Sequence, residues 1–291
     1  MNLNSNFYLI EKPKTWTSQD LCTKFKKTYK FKKVGHSGTL DPNAQGLMLV
    51  ATNSFTKLFD YIENTNKTYY VKALLGFTSD TLDVDSDYKK IDNIKTEEYR
   101  KDIQEFLSNL EGDSIQSPPI YSAIKVKGKR LYKYARQNVE VEIPKRKITV
   151  HSTNLISLNN ETVEFDITVS KGTYIRSIVD DMGKYLNTKA IVKELIRTAV
   201  GNLKSTNKNI ITNVKNLNSS DTVTAINWSD VLDLPSIVLE SNKENYIRNG
   251  QLLENKYFQT RAKHLIIIDD QLKAVYEPFN DKFFKPDKVI V

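Results

Sequence analysis

A chain of 291 residues, 39% hydrophobic and 27% charged, has room for one large domain and a small one and the ordinary make-up of a globular protein. No stretch approaches the roughly 18 apolar residues of a membrane-spanning helix. Met1 to Phe7 lacks the basic start and apolar core of a signal peptide, so a cytoplasmic protein with no membrane partner is expected. Cys22 is the only cysteine and the histidines His36, His151 and His264 lie far apart, which excludes an intrachain disulfide or thiolate cluster and predicts no metal site.

Lys and Arg number 43 against 35 Asp and Glu, a net charge of +8, which favours a polyanionic partner such as nucleic acid. The charge has a second source, because the chain is also rich in Asn, Ile and Tyr, which with Lys are the residues an A/T-rich genome encodes.

Phe7 to Glu11 alternates like a short strand. Ser18 offers an N-cap to a helix whose apolar positions Leu21, Cys22, Phe25 and Tyr29 recur at three- and four-residue spacing. A glycine-punctuated loop from Gly35 to Pro42 leads to an apolar strand, Leu47 to Ala51. Phe55, Leu58, Phe59 and Ile62 then form one helical stripe, and Tyr69 to Phe77 reads as a buried strand. Thr96 is placed to cap a helix with Tyr99, Ile103, Phe106, Leu107 and Leu110 inward. Val139 to Ile143, Lys147 to Leu158 and Thr162 to Ser170 are β-rich, with Asn159-Asn160 as a hairpin turn. Helices are predicted over Thr173 to Leu186 and Ala190 to Thr198. A polar stretch from Ser205 to about Trp228 reads as loop, and Ser236 to Val291 as a small β-rich module around Leu265 to Ile268 and Ala274 to Tyr276. The class is α+β, a large mixed sheet with a C-terminal β appendage.

The segment richest in chemistry is Gly35-His36-Ser37-Gly38-Thr39-Leu40-Asp41-Pro42, continuing to Ala44 and Gly46. Pro42 keeps Asp41 extended, and the glycines permit tight turns and close approach of another chain. Taken alone, an ordinary Asp-Pro turn between helix and strand is the better reading, because short motifs mislead often.

The run resembles the catalytic loop of the TruB family of tRNA pseudouridine synthases, and four further segments match that family in the same order. They are Lys12-Pro13 with Thr17-Ser18, then Lys67-Thr68-Tyr69, then Pro118-Pro119-Ile120-Tyr121-Ser122-Ala123-Ile124-Lys125 with Gly128, Tyr132, Ala135 and Arg136, and last Lys171-Gly172-Thr173-Tyr174-Ile175-Arg176. The ordered matches run from about residue 7 to 200 and turn the plain Asp-Pro turn into the minor reading.

The resemblance implies a pseudouridine synthase catalytic domain over 1–235, its mixed, mostly antiparallel sheet flanked by helices, and a PUA-like RNA-binding module over 236–291. It implies isomerisation of uridine 55 in the T-loop of tRNA with no cofactor and no metal. Asp41 would be the essential carboxylate, attacking base or sugar or assisting glycosidic cleavage, with Arg176 paired to it so that it stays ionised and aimed. Tyr69 would stack on the target base, Tyr174 would hydrogen-bond nearby, and Leu195 would form an apolar wall. His36 would fill the space left by the flipped base. Lys12, Lys125, Lys127, Lys129 and Arg130 would contact phosphates. The expected partner is the tRNA T-arm, with no guide RNA or obligatory protein and a monomeric enzyme.

Asp83, Asp85 and Asp87 alternate like the opening of a calcium-binding EF-hand, but Tyr88 and Ile94 stand where that loop needs Gly and Glu. The acidic run matches a family motif instead and is expected to brace a loop. The family carries glycine where Thr15, Asn53 and Ser86 stand, which puts the turns at Thr15 and Ser86 in question. Three other readings remain: an RNA-binding or RNA-folding protein, a guide-RNA-dependent relative, and a basic metalloenzyme, the last disfavoured by scarce ligands.

Overall fold

The computed structural model describes residues 5–62 and 65–290; residues 1–4 and 291, at the ends of the two expected spans, lie outside it. In chain order its elements are β1 (Phe7–Lys12), α1 (Ser18–Tyr29), β2 (Val34–His36), β3 (Gln45–Thr52), β4 (Lys67–Leu75), β5 (Phe77–Ser79), β6 (Tyr88–Lys90), α2 (Arg100–Asn109) and β7 (Gly112–Gln116). There follow β8 (Lys125–Val126), β9 (Lys129–Arg130), α3 (Leu131–Ala135), β10 (Arg146–Asn159), β11 (Thr162–Val169), α4 (Ile175–Tyr185), β12 (Ala190–Val200) and β13 (Leu203–Lys204). The C-terminal part supplies β14 (Ser236–Val238), α5 (Glu244–Arg248), β15 (Leu253–Glu254), β16 (His264–Ile268), β17 (Gln271–Pro278) and β18 (Phe283–Val289).

The class is α+β. A nine-stranded sheet runs β1-β3-β12-β4-β11-β10-β7, with β2 beside β3 and β13 beside β12. It is mixed and mostly antiparallel, β3 and β12 being its parallel pair. A second, five-stranded sheet has the order β14-β16-β17-β18-β15.

Side chains in a strand point alternately to opposite faces, and the sequence of each strand records what covers those faces. In β11, Val163, Phe165, Ile167 and Val169 are buried while Thr162, Glu164, Asp166 and Thr168 are half-exposed: one face meets the core and the other solvent. In β1 and β3 both faces are covered. Tyr8, Ile10, Met48 and Val50 belong to one core with residues of α1, α2 and α4. Phe7, Leu9, Leu47, Leu49 and Ala51 pack with Leu265, Ile267, Leu272 and Val275 of the second sheet. Continuous apolar runs are what two-faced burial requires. The far face of the second sheet forms its own core from Ile247, Ile266, Ile268, Ala274, Tyr276 and Phe284. Polar ties reinforce the junction. Lys57 Nζ donates to the Val289 carbonyl at 2.8 Å, Tyr61 Oη to Asp287 at 2.8 Å, and Lys288 pairs with Asp60 at 3.1 Å.

Several expected elements differ. Thr17, not Ser18, caps α1, in a reciprocal capping box with Asp20. Ser18 is buried, and its hydroxyl is committed to Leu40. Thr96 caps nothing; it begins a 3-10 turn (Thr96–Tyr99) before α2 and gives its hydroxyl to the Thr162 carbonyl. The stripe of Phe55, Leu58 and Phe59 lies on a 3-10 segment (Asn53–Tyr61) that Ile62 caps, and there i and i+3 also share a side. Val139 to Ile143 is not a strand, because no neighbour pairs with it. The helix expected over Thr173 to Leu186 begins at Ile175 rather than Thr173.

The largest departure is Ala190 to Thr198, expected as a helix and found as the central strand β12, flanked by β3 and β4. Register shifts against β4 between Val192 and Glu194 and between Arg197 and Ala199 mark irregularities in its pairing. Its apolar residues Val192, Leu195, Ile196, Ala199 and Val200 fall at three- and four-residue spacing, as on a helix, although Leu195, Arg197 and Ala199 are buried in strand alternation.

Candidate active site

The loop from Ser37 to Ala44 joins β2 to β3 and delivers Asp41 to the end of the sheet. Its return into β3 passes Gly46, at φ +107°, where a Cβ would lie 2.4 Å from the Arg197 carbonyl of β12; only glycine fits. The loop is fixed from both sides of Asp41. The Ser18 hydroxyl accepts from the Leu40 N–H at 2.9 Å and donates to the Leu40 carbonyl at 3.2 Å. On the other side, the Pro42 carbonyl accepts from Lys12 Nζ at 3.1 Å and from the Thr15 N–H at 2.9 Å.

Arg176, second residue of α4, meets the carboxylate. Its Nη2 lies 2.8 Å from Asp41 Oδ2, and its Nε is 3.7 Å from Asp83. Nη1 donates to the Thr81 carbonyl at 2.8 Å and Nη2 also to the Tyr121 carbonyl at 3.1 Å. The guanidinium is 5% exposed whereas the Asp41 side chain keeps 35%, so the acid remains reachable while its partner is locked. The acidic run braces this arrangement: Asp83 pairs with Arg176 and accepts from the Asp85 N–H, and Asp85 accepts from the Asn43 N–H.

Asp41, Tyr69, Tyr174, Arg176 and Leu195 line one cavity of about 270 Å³. That lies just below the common range of ligand pockets, about 300–1,000 Å³. Tyr69 and Leu195 come from the adjacent strands β4 and β12, on the face turned toward the helices. Tyr174 is held by Gln116, whose side-chain amide donates to its carbonyl at 3.0 Å and accepts from its N–H at 2.8 Å. Burial pushes the Tyr174 hydroxyl pKa up, so it stays protonated and able to donate. A larger open groove of about 650 Å³, on the other side of β4 and lined by Asn66, Thr68, Asp230 and Asp233, holds none of these groups.

Three predicted residues lie outside the cavity wall. His36, in β2, is half-buried. Burial and, secondarily, the charge of Arg197 hold its ring below the usual histidine pKa. Lys125 is exposed on the β8–β9 hairpin. Lys12 corrects the expectation of a phosphate contact. It is fully buried and spends its ammonium on the carbonyls of Pro13, Trp16 and Pro42 at 2.9, 2.6 and 3.1 Å. Burial lowers its pKa to about 8. It is a clamp between the first loop and the Asp41 loop.

The cavity also takes in Lys67, Lys171 and Arg197, which no motif role marked as site residues. Lys67 and Arg197 stand two residues from Tyr69 and Leu195, the spacing that returns a strand to the same face. That signal was lost for Arg197 because a helix turns i+2 to the opposite side. Among the described residues no group of three or more His, Cys, Asp or Glu could hold a metal ion, and no helix is long and apolar enough to cross a membrane.

Ion-paired carboxylate, aromatic ring and apolar wall form a set suited to covalent or acid–base work on a flat heterocycle. Comparison with known proteins gives the family. Residues 26–175 match the family model described as TruB family pseudouridylate synthase (N terminal domain). Curated relatives named tRNA pseudouridine synthase B include one from Staphylococcus saprophyticus, 34% identical over 96% of this chain and 97% of its own. Another, from Mycoplasma mobile, is 38% identical over 85% of this chain and 83% of its own. Among solved structures, the fold resembles one titled a Cbf5-Nop10-Gar1 complex, with a TM-score of 0.72 and 21% identity, over 100% of this chain and 86% of that one.

Proposed function

The chain belongs to the TruB family of pseudouridylate synthases, and from that premise we propose that it converts uridine 55 in the T-loop of tRNA to pseudouridine, in the cytoplasm and without guide RNA or protein partner. Isomerisation breaks the C1′–N1 bond, turns the base and joins C1′ to C5; the C5 proton is lost and N1 gains one, so no co-reactant is consumed. Asp41 supplies the carboxylate for glycosidic cleavage, by attack on base or sugar or by assisting departure. Arg176 holds it in place. The target leaves its stack to reach the cavity, at a cost of a few kcal/mol offset by stacking on Tyr69 and polar contact with Tyr174. Leu195 closes the apolar side, His36 stands at the head of the loop against the emptied stack, and Lys125 meets backbone phosphate. Residues 1–235 carry the chemistry, and the PUA-like module 236–291 contributes RNA contact.

The observation that carries this reading is the Asp41–Arg176 pair, 2.8 Å apart in the cavity shared by Tyr69, Tyr174 and Leu195. The experiment is a modification map of tRNA treated with wild-type or Asp41→Asn protein in chelator. Pseudouridine at position 55 with the wild type alone, and undiminished tRNA binding by the variant, is the expected result. A variant with full modifying activity, or a wild type active only with added guide RNA, would overturn it.

A further inference from the structure

Two arginines line the cavity, and they are neutralised very differently. Arg176 has Asp41 and Asp83. Arg197 is 1% exposed, and its recorded partners are uncharged: Nε donates to the Leu47 carbonyl at 2.7 Å and Nη2 to the Gly38 carbonyl at 3.2 Å. Nη1 has no partner among the described residues. A buried guanidinium without a carboxylate is costly, and such charges persist where a ligand of opposite sign completes them. Its field reaches its neighbours, opposing protonation of both His36 and Lys12.

Lys67 and Lys171 stand on the same cavity. Between Lys67 and Arg197 lies Gly38. A Cβ there would sit 3.3 Å from Lys67 Cε and 3.6 Å from Arg197 Nη1, so a side chain at this position would crowd both residues; the Lys67 ammonium donates to the Thr65 carbonyl at 2.8 Å.

We propose that Arg197, with Lys67 and Lys171 beside it, forms an anion subsite that receives the phosphodiester next to the everted uridine. The inference deepens the RNA-modifying reading and rests on it. Uracil and ribose are neutral, so the phosphodiester is the anion a flipped nucleotide carries with it. Its oxygens suit a guanidinium whose other N–H groups are already anchored to main chain. The subsite would fix the sugar while Asp41 acts at the other end of the cavity, making Arg197 a positioning residue for the reaction.

The test is a cycle of single substitutions in enzyme and RNA. T-arm RNA is prepared with one neutral methylphosphonate at the linkage 5′ or 3′ of the target uridine, and kcat/KM is measured for wild type, Arg197→Met and Arg197→Lys. For wild type, one of the two linkages should lower kcat/KM about ten- to a hundredfold, the range for a hydrogen bond to a charged group. In Arg197→Met the natural RNA should lose a similar factor and the neutral linkage should cost less than about twofold more; Arg197→Lys should restore part of the linkage sensitivity. A linkage penalty that is absent in wild type, or undiminished in Arg197→Met, overturns the subsite. Should circular dichroism show Arg197→Met unfolded, Arg197→Lys carries the cycle, and a penalty equal to wild type's overturns the proposal. No pseudouridine from natural RNA would sink the parent reading and the subsite with it. Pseudouridine formed with an unchanged linkage penalty would sink the subsite alone.

Discussion

Arg176 is shared by two carboxylates, Asp41 at 2.8 Å and Asp83 at 3.7 Å, while two of its donors also engage the carbonyls of Thr81 and Tyr121. A planar fork can hold these directions at once; a single ammonium cannot. Arg176→Lys, although it keeps the charge, should therefore lower kcat by about a hundredfold or more, the scale of losing a preorganised charged contact. RNA affinity should stay near wild type. Single-turnover kinetics with a filter-binding assay separates the two, and a variant with wild-type kcat would show that geometry at Arg176 is unimportant.

Lys12 predicts a pH effect on stability. Its folded pKa, about 8, lies below the ordinary 10.5 because burial disfavours the charged form. Between those values the unfolded chain binds the extra proton, so stability rises with pH across that window relative to a chain without the lysine. Urea denaturation of wild type and Lys12→Met at pH 7.5, 9 and 10 should show the difference between them moving in favour of wild type as pH increases. A constant or opposite trend would contradict the burial argument.

Thr15 sits at φ +71°, a left-handed conformation that a β-branched residue adopts at a cost, and its N–H donates to the Pro42 carbonyl. Thr15→Gly should relieve about 1–2 kcal/mol. The midpoint of thermal unfolding should rise by about 2–4 °C per kcal/mol. Activity should be retained, and a fall in the midpoint would mean that the threonine side chain contributes more than its backbone costs. Asn53, at φ +48°, tolerates the same geometry and accepts from the N–H groups of Lys32 and Lys33. Ser86 is not among the positive-φ positions, so a glycine is not needed there.

Leu49 belongs to the core shared by the two sheets and is 1% exposed. Leu49→Ala should cost about 2–5 kcal/mol. Because the core is common, hydrogen exchange should accelerate in β3 and β17 together. Selective loosening of the second sheet alone would show that the halves unfold independently.

Much of this architecture could be read from the chain. The Asp41 loop was legible because Gly, Pro and Asp impose turns through short-range sterics. Strands β1, β3, β10 and β11 declared themselves through apolar runs or alternation. Strand β12 was expected as a helix, and Arg197 on it was given no role, because its apolar residues fall at three- and four-residue spacing and its pairing depends on which strands lie alongside. Lys12 was located by motif but misassigned, since lysine is almost never fully buried and nothing local announces three converging carbonyls. Asp83 was seen as a brace, yet its partner lies far along the chain at Arg176, a distance that only folding closes.

Strands β1 and β3 present no side to water along most of their length, which has a consequence for how this protein can vary. Along β11, every second position could drift among polar residues at little expense. Along β1 and β3 neither register is free, since one set of side chains faces the helices and the other faces the C-terminal sheet. A saturation library scored for survival should thus show two solid intolerant bands at these strands and a dashed one at β11.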